Sequence, residues 1–140
     1  QPDFVWIKDY QTCCEPHISF DSVRGAGEYI QPNSTNAEVN NNTTLTSFNT
    51  TGFTLGSDTV GLVNYSGRGD YVGWSWKAGG NSNTFNKNGT GYASASAAGL
   101  TAGTITPTGS SVNTETGFSI IKYSGTSTAS TVPHGLGVTP

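Results

Sequence analysis

The sequence predicts an all-β chain arranged as an antiparallel sandwich or barrel. Only 33% of its 140 residues are hydrophobic and 11% are charged. Nineteen glycines and abundant Ser, Thr and Asn fill the difference, residue types that are poor in helix interiors and common in turns and on strand faces. The stretch Tyr71-Val72-Gly73-Trp74-Ser75-Trp76 carries two tryptophans at strand spacing. The apolar runs are short and separated by turn signals, the pattern of sandwiches and barrels. An aromatic content of 11% argues against disorder despite the polar composition.

The organising stretch is Asp70 to Gly80. Val72, Trp74 and Trp76 share one parity, and Tyr71, Gly73 and Ser75 share the other. A strand alternates its faces with period two, so the two indoles are expected on one apolar side, packed on the core. Gly79-Gly80 ends the strand.

In chain order, Phe4 to Lys8 reads as the first strand and Ile18 to Phe20 as the next. Asp21 to Gly25 reads as a turn, with Arg24 able to pair with Asp21. Tyr29-Ile30, Ala37 to Val39, Leu45 to Phe48 and Gly52 to Gly56 follow as short strands, with Phe53 and Leu55 inward. Val60 to Tyr65 suggests another strand, and Ser66 to Asp70 a tight turn. Asn81 to Gly91 reads as a polar loop containing Phe85. Tyr92 to Ala98 alternates small residues, Thr101 to Pro107 reads as extended, and Gly117 to Tyr123 is the last strong strand. The expected core is Phe4, Trp6, Phe53, Leu55, Trp74, Trp76, Phe118 and Ile120.

At this length one domain, 1–140, is expected, large enough to bury a core without metal or disulfide. The net charge of −3 gives no basic footprint for nucleic acid or an anionic membrane. No apolar run reaches the roughly twenty residues of a spanning helix. Cys13 and Cys14 are adjacent, and a bond between neighbours closes a strained small ring. They are expected as reduced thiols, in keeping with assembly in a cytoplasm. With only His17 nearby, no metal site and no cofactor are expected.

Phe4-Val5-Trp6-Ile7-Lys8 matches Phe118-Ser119-Ile120-Ile121-Lys122 at its first, fourth and fifth positions. The closing Gly137-Val138-Thr139-Pro140 would lead naturally into Asp3-Phe4-Val5-Trp6. Together with the absent initiator methionine, this reads as a segment of a longer or tandemly repeated chain.

Catalytic constellations are sparse. Glu28, Glu38 and Glu115 are scattered, and no nucleophile elbow accompanies His17 or His134. His134 is expected to close a loop through a backbone hydrogen bond. Arg68-Gly69-Asp70 spells an integrin-binding tripeptide, which turn chemistry explains as well. The ligand-binding candidates are Tyr65, Tyr71 and Asp70, aromatic surface for sugar stacking with a carboxylate to supply hydrogen bonds. Tyr71 leads because it lies opposite in parity to the tryptophans.

Several motifs carry a resemblance. Asp3 to Lys8, Phe20 to Gly25, Asn33 to Glu38, Leu45 to Phe48, Gly52 to Gly56, Trp74 to Gly80, Gly117 to Tyr123 and His134 to Pro140 occur in this order. The chain thereby resembles a family of tail-fibre-like virion domains widespread in marine bacteriophages, cyanophages among them. The resemblance implies a jelly-roll sandwich of concanavalin or laminin-G type. It also implies residence in the virion, assembled in host cytoplasm and then extracellular. Ser75 stands where the family often has Cys, and Cys13 and Cys14 occupy a variable connection.

The function expected from this is a non-enzymatic structural domain of a phage virion, on a tail fibre or appendage that attaches to host-surface glycan. The partners would be other virion proteins and further copies of itself, a trimer or higher, without nucleic acid or membrane insertion. Two alternatives stand beside it. One is a capsid-decorating or spacer module without ligand. The other is a polysaccharide-degrading enzyme, which needs two carboxylates about 5–10 Å apart in a groove.

Overall fold

The computed structural model describes residues 1–80 and 83–140. Among them every regular element is a strand and none is a helix. The chain divides into two compact units, Gln1–Trp76 and Lys77–Pro140.

The first unit holds a five-stranded antiparallel sheet. Its strands are β1 (Phe4–Asp9), β2 (Ile18–Asp21), β3 (Glu28–Ile30), β4 (Val39–Asn40) and β7 (Tyr71–Trp76), in the order β4-β3-β2-β1-β7. A hairpin of β5 (Leu45–Asn49) and β6 (Gly52–Leu55) completes the unit. On the inner side of the sheet lie Val5, Ile7, Ile18 and Phe20, all at most 2% exposed. Tyr29, Leu45 and Val63 join them, and Phe53, Leu55 and Tyr71 pack against the cluster.

This core reverses the expected parity of the central strands. Phe4 and Trp6 are only half-buried, while Trp74 and Trp76 are 44% and 39% exposed. They belong to the outer face, not the core. The reason lies in what occupies the inner side. β1 is apolar on both faces, and its branched aliphatics Val5 and Ile7 take the interior. Across from Ile7, β7 presents Gly73, and a Cβ there would already lie 3.6 Å from Phe53 Cζ and 4.0 Å from Ile7 Cγ1. The hairpin fills the space an indole would need. Because strand faces alternate, this choice sends Trp74 and Trp76 outward together.

The second unit holds β8 (Phe85–Lys87), β9 (Thr90–Tyr92), β10 (Gly109–Asn113) and β11 (Phe118–Lys122), in the order β11-β10-β8-β9. β8 and β10 run parallel, so the sheet is mixed where an antiparallel one was expected. Ala95, Ala98, Leu100, Val112 and Leu136 form its core, with Phe85, Tyr92 and Ile121 against it. Phe118 and Ile120 are half-buried, and Ile121 takes the core position instead.

Several expectations shift here. β8 and β9 form a hairpin inside the expected loop, whose first two residues, 81 and 82, lie outside the described residues. Its turn is Asn88-Gly89 with φ of 51° and 83°, both in the left-handed region a two-residue hairpin requires. Tyr92 to Ala98 and Thr101 to Pro107 are turns and irregular backbone beyond β9. The tail packs home: His134 Nδ1 accepts the Leu136 N–H at 3.2 Å, and Leu136 is 5% exposed.

Candidate functional site

Two surfaces of the first unit gather the aromatic and carboxylate groups: the loop between β6 and β7, and the outer face of the five-stranded sheet.

The loop is built on Asp58. Its carboxylate is 3% exposed and accepts five backbone N–H groups. Oδ1 takes Val60 and Gly61 at 3.0 and 3.2 Å, and Oδ2 takes Leu62, Val63 and Asn64 at 2.6, 2.7 and 3.2 Å. Burial pushes this carboxyl up, but the amides of Val63, Val60, Asn64 and Leu62 outweigh it and hold it below its ordinary value. Five donors saturate a carboxylate that offers about four lone-pair sites. Asp58 is therefore a clasp, with no acceptor capacity left for a ligand. Residues 60–64, expected as a strand, wrap this carboxylate instead, because their N–H groups are directed to it rather than to a neighbouring strand.

Tyr71 closes the loop from β7. Its hydroxyl accepts the Tyr65 N–H at 3.3 Å and donates to Gly61 O at 3.4 Å. Tyr65, 39% exposed, and Tyr71 together line an open hollow of about 540 Å³ with Asp58, Asn64 and Ser66. Asp70 is not part of it. Its carboxylate accepts Gln11 Nε2 at 2.7 Å and the Tyr10 hydroxyl at 3.3 Å, tying the turn to the β1–β2 connection. Arg68 is ion-paired with Glu15 and donates to Val60 O at 3.3 Å. The Arg68-Gly69-Asp70 tripeptide is thus held at both ends by structural contacts.

The outer face of the sheet carries the aromatic row. Register places Phe4 opposite Trp76 and Trp6 opposite Trp74. Their ring centroids are 5.5 and 5.8 Å apart, inclined at 60° and 56°, the tilted geometry aromatic pairs favour. His17 extends the row, its ring centroid 5.4 Å from that of Trp6. The Trp6 indole N–H donates to His17 Nδ1 at 3.0 Å, which fixes the tautomer with the proton on Nε2 and orients the Trp6 ring.

A polar border runs beside the row on β2. Ser19 and Asp21 stand directly opposite Trp6 and Phe4. Asp21 Oδ1 accepts the Val23 and Arg24 N–H groups at 3.1 and 2.8 Å, and its Oδ2 pairs with Arg24 Nε. Arg24 also reaches Glu38 at 3.2 Å and Ser19 O at 3.1 Å. The expected Asp21–Arg24 pair is present and clamps the turn. Cys13 and Cys14 are free and exposed, with sulfurs 3.4 Å apart. Among the described residues no three His, Cys, Asp or Glu side chains group to hold a metal ion, and no helix is long and apolar enough to cross a membrane.

This sheet-borne aromatic row sits in a chain matched over residues 1–140 by the family described as a domain of unknown function, DUF7483. The chain belongs to the DUF7483 family. No curated protein and no solved structure matches it. The sequence-predicted pair Tyr65 and Tyr71 meets in this DUF7483 domain, Asp70 stands apart from them, and the exposed Trp74–Trp76 face was hidden by its reading as core. The signal that could have exposed it is the glycine between Val72 and Trp74, since a residue that small on the opposite parity leaves room for Phe53.

Proposed function

We propose that this domain is a non-enzymatic structural module of a phage virion, carried on a tail fibre or appendage, and that it contacts host-surface glycan. The observation that carries the contact is the outer aromatic row, with Trp74 and Trp76 at 44% and 39% exposure. An exposed indole face offers a sugar's C–H surface a large apolar area, and the Ser/Thr/Asn-rich surroundings suit wet hydrogen bonds to hydroxyls. Each contact is weak, and repetition through a homo-oligomer, a trimer or higher, sums them into firm attachment. The carboxylates beside the row favour binding over hydrolysis, because Asp21 and Glu38 both engage Arg24 rather than facing each other across a groove.

The same proposal includes the finer architecture: one jelly-roll sandwich of concanavalin or laminin-G type within a longer or tandem virion chain, partnered by other virion proteins. A capsid-decorating or spacer role without ligand is the competing outcome.

A glycan array of host-surface polysaccharides, probed with the purified protein, tests the contact. Trp74→Ser and Trp76→Ser are each expected to weaken binding roughly thirtyfold, as loss of an anchor worth about 2 kcal/mol does. Both indoles lie outside the core, so each variant should stay folded, losing only the ring pair with Trp6 or Phe4, worth about 0.5–1.5 kcal/mol beyond area burial. Silence across the array with folded wild-type protein would favour the spacer role.

A further inference from the structure

We infer that β7 is a self-pairing edge, through which two copies of this chain join their five-stranded sheets into one continuous sheet. β7 ends the sheet order and pairs on one side only, with β1. The direction of its backbone groups follows from the ladder. The Tyr10 N–H donates to Asp70 O at 3.2 Å, and the Ser22 N–H donates to Asp3 O at 2.8 Å. Antiparallel hydrogen bonding alternates along a strand. The even residues of β1 therefore bond to β7 and the odd ones to β2. By the same register, Val72, Trp74 and Trp76 turn their N–H and C=O groups toward β1. Tyr71, Gly73 and Ser75 turn theirs away from it. Among the described residues none hydrogen-bonds to those outward backbone groups, and Gly73 and Ser75 are exposed.

Sheet edges of this kind are normally blunted by lysine, proline, a bulge or extreme shortness. β7 has none of these. It is six residues long, runs in unbroken register with β1, and contains no charged residue and no proline. The opposite edge, β4, is two residues long. An edge without charge does not repel its own copy, whereas the −3 net charge elsewhere discourages indiscriminate association of like chains.

The occupant is a second copy because the strand complements itself about Gly73. With two β7 strands antiparallel and Gly73 opposite Gly73, Tyr71 of each lies opposite Ser75 of the other. All outward groups then pair, in about six hydrogen bonds. Glycine at the twofold centre brings no side chain to the pair on the axis. The parity keeps both outer faces on the same side, so the aromatic row of one copy continues into that of the other. The pairing uses backbone, not ring faces, and is separate from the glycan contact.

Analytical ultracentrifugation of the whole chain across a concentration series is the test, with far-UV circular dichroism and the thermal midpoint as checks of folding. The wild type is expected to dimerise reversibly. Ser75→Pro removes an outward N–H and no bond to β1, and Ser75→Lys places like charges across the new pair. Each is expected to weaken dimerisation at least about tenfold while remaining folded. In the wild type, the Gly73 and Ser75 amides should exchange more slowly with deuterium as concentration rises. A monomer at every concentration, or an oligomer that both variants leave intact, overturns the inference. Trp74→Ser separates it from the glycan reading, since that variant should lose sugar binding and keep the dimer.

Discussion

Asp58→Ala is expected to destabilise the first unit by about 3–5 kcal/mol. The carboxylate satisfies five backbone N–H groups of residues 60–64 in a site 3% exposed. Each buried donor left without a partner costs about 1–3 kcal/mol, and the loop can rewet only some of them. Val63, 1% exposed and part of the core cluster, is pulled outward when its N–H loses Asp58. Asp58→Asn is nearly isosteric yet should also destabilise strongly. Whichever way its amide turns, an NH₂ faces two or three N–H donors. Hydrogen exchange at the amides of residues 60–64, alongside denaturant unfolding followed by tryptophan emission, measures both variants. Wild-type protection in Asp58→Asn would show that the clasp is not what holds the loop.

The same carboxylate sets an acid response. Its folded pKa lies below the ordinary 3.8, because the amide bonds outweigh desolvation. The unfolded chain therefore binds a proton that the folded chain does not. The stabilisation is full at neutral pH, starts to fall near that ordinary value, and is lost as pH drops through the folded one. Asp9 acts in the same sense, lowered chiefly by the Thr12 N–H. Acid titration of stability should be steep below about pH 4 in the wild type and shallower in Asp58→Asn.

Gly79→Ala is expected to destabilise the second unit by about 1–3 kcal/mol or more through overpacking. A Cβ on Gly79 would occupy the position of the Asn86 side-chain amide, and Asn86 is 1% exposed. Neither partner can step aside. The Gly79 N–H donates to Ser111 Oγ at 2.8 Å, and Gly79 O accepts the Gly89 N–H at 2.7 Å. Ser111 in turn donates to Asn86 Oδ1 at 3.3 Å. The variant would break a buried polar network as well as a packing contact. Amide exchange of Ser111 and Asn113 reports on this unit, which holds no tryptophan. Asn86→Ala in the same chain should recover part of the loss by clearing the space. A single variant with unchanged exchange would refute the clash.

The elements legible in advance were those whose signals are local. Phe4 to Asp9, Ile18 to Asp21 and Phe118 to Lys122 are strands because branched and aromatic residues crowd there between turn formers. The Asp21–Arg24 clamp and the His134 loop closure also involve residues a few positions apart. Asn88-Gly89 between Phe85 and Tyr92 is also a local hairpin signature, set among polar residues that read equally as loop. β10 was illegible for a different reason. Gly-Ser-Ser-Val-Asn looks like a loop, and only the side-chain partners found by Ser111 and Asn113 make so polar a buried run tolerable in a central strand.

By itself the sequence determined the β character of the chain, the place of its strongest strands and the alternation that binds Trp74 to Trp76 on one side. Tertiary structure decided which side that is. Periodicity specifies that alternate residues share a face, and it is silent on which face meets the core. That choice depended on Phe53 standing beside Gly73 and on Val5 and Ile7 filling the interior, contacts between segments far apart in the chain. The Asp58 clasp was settled in the same way, since a carboxylate's partners are set by where the backbone returns.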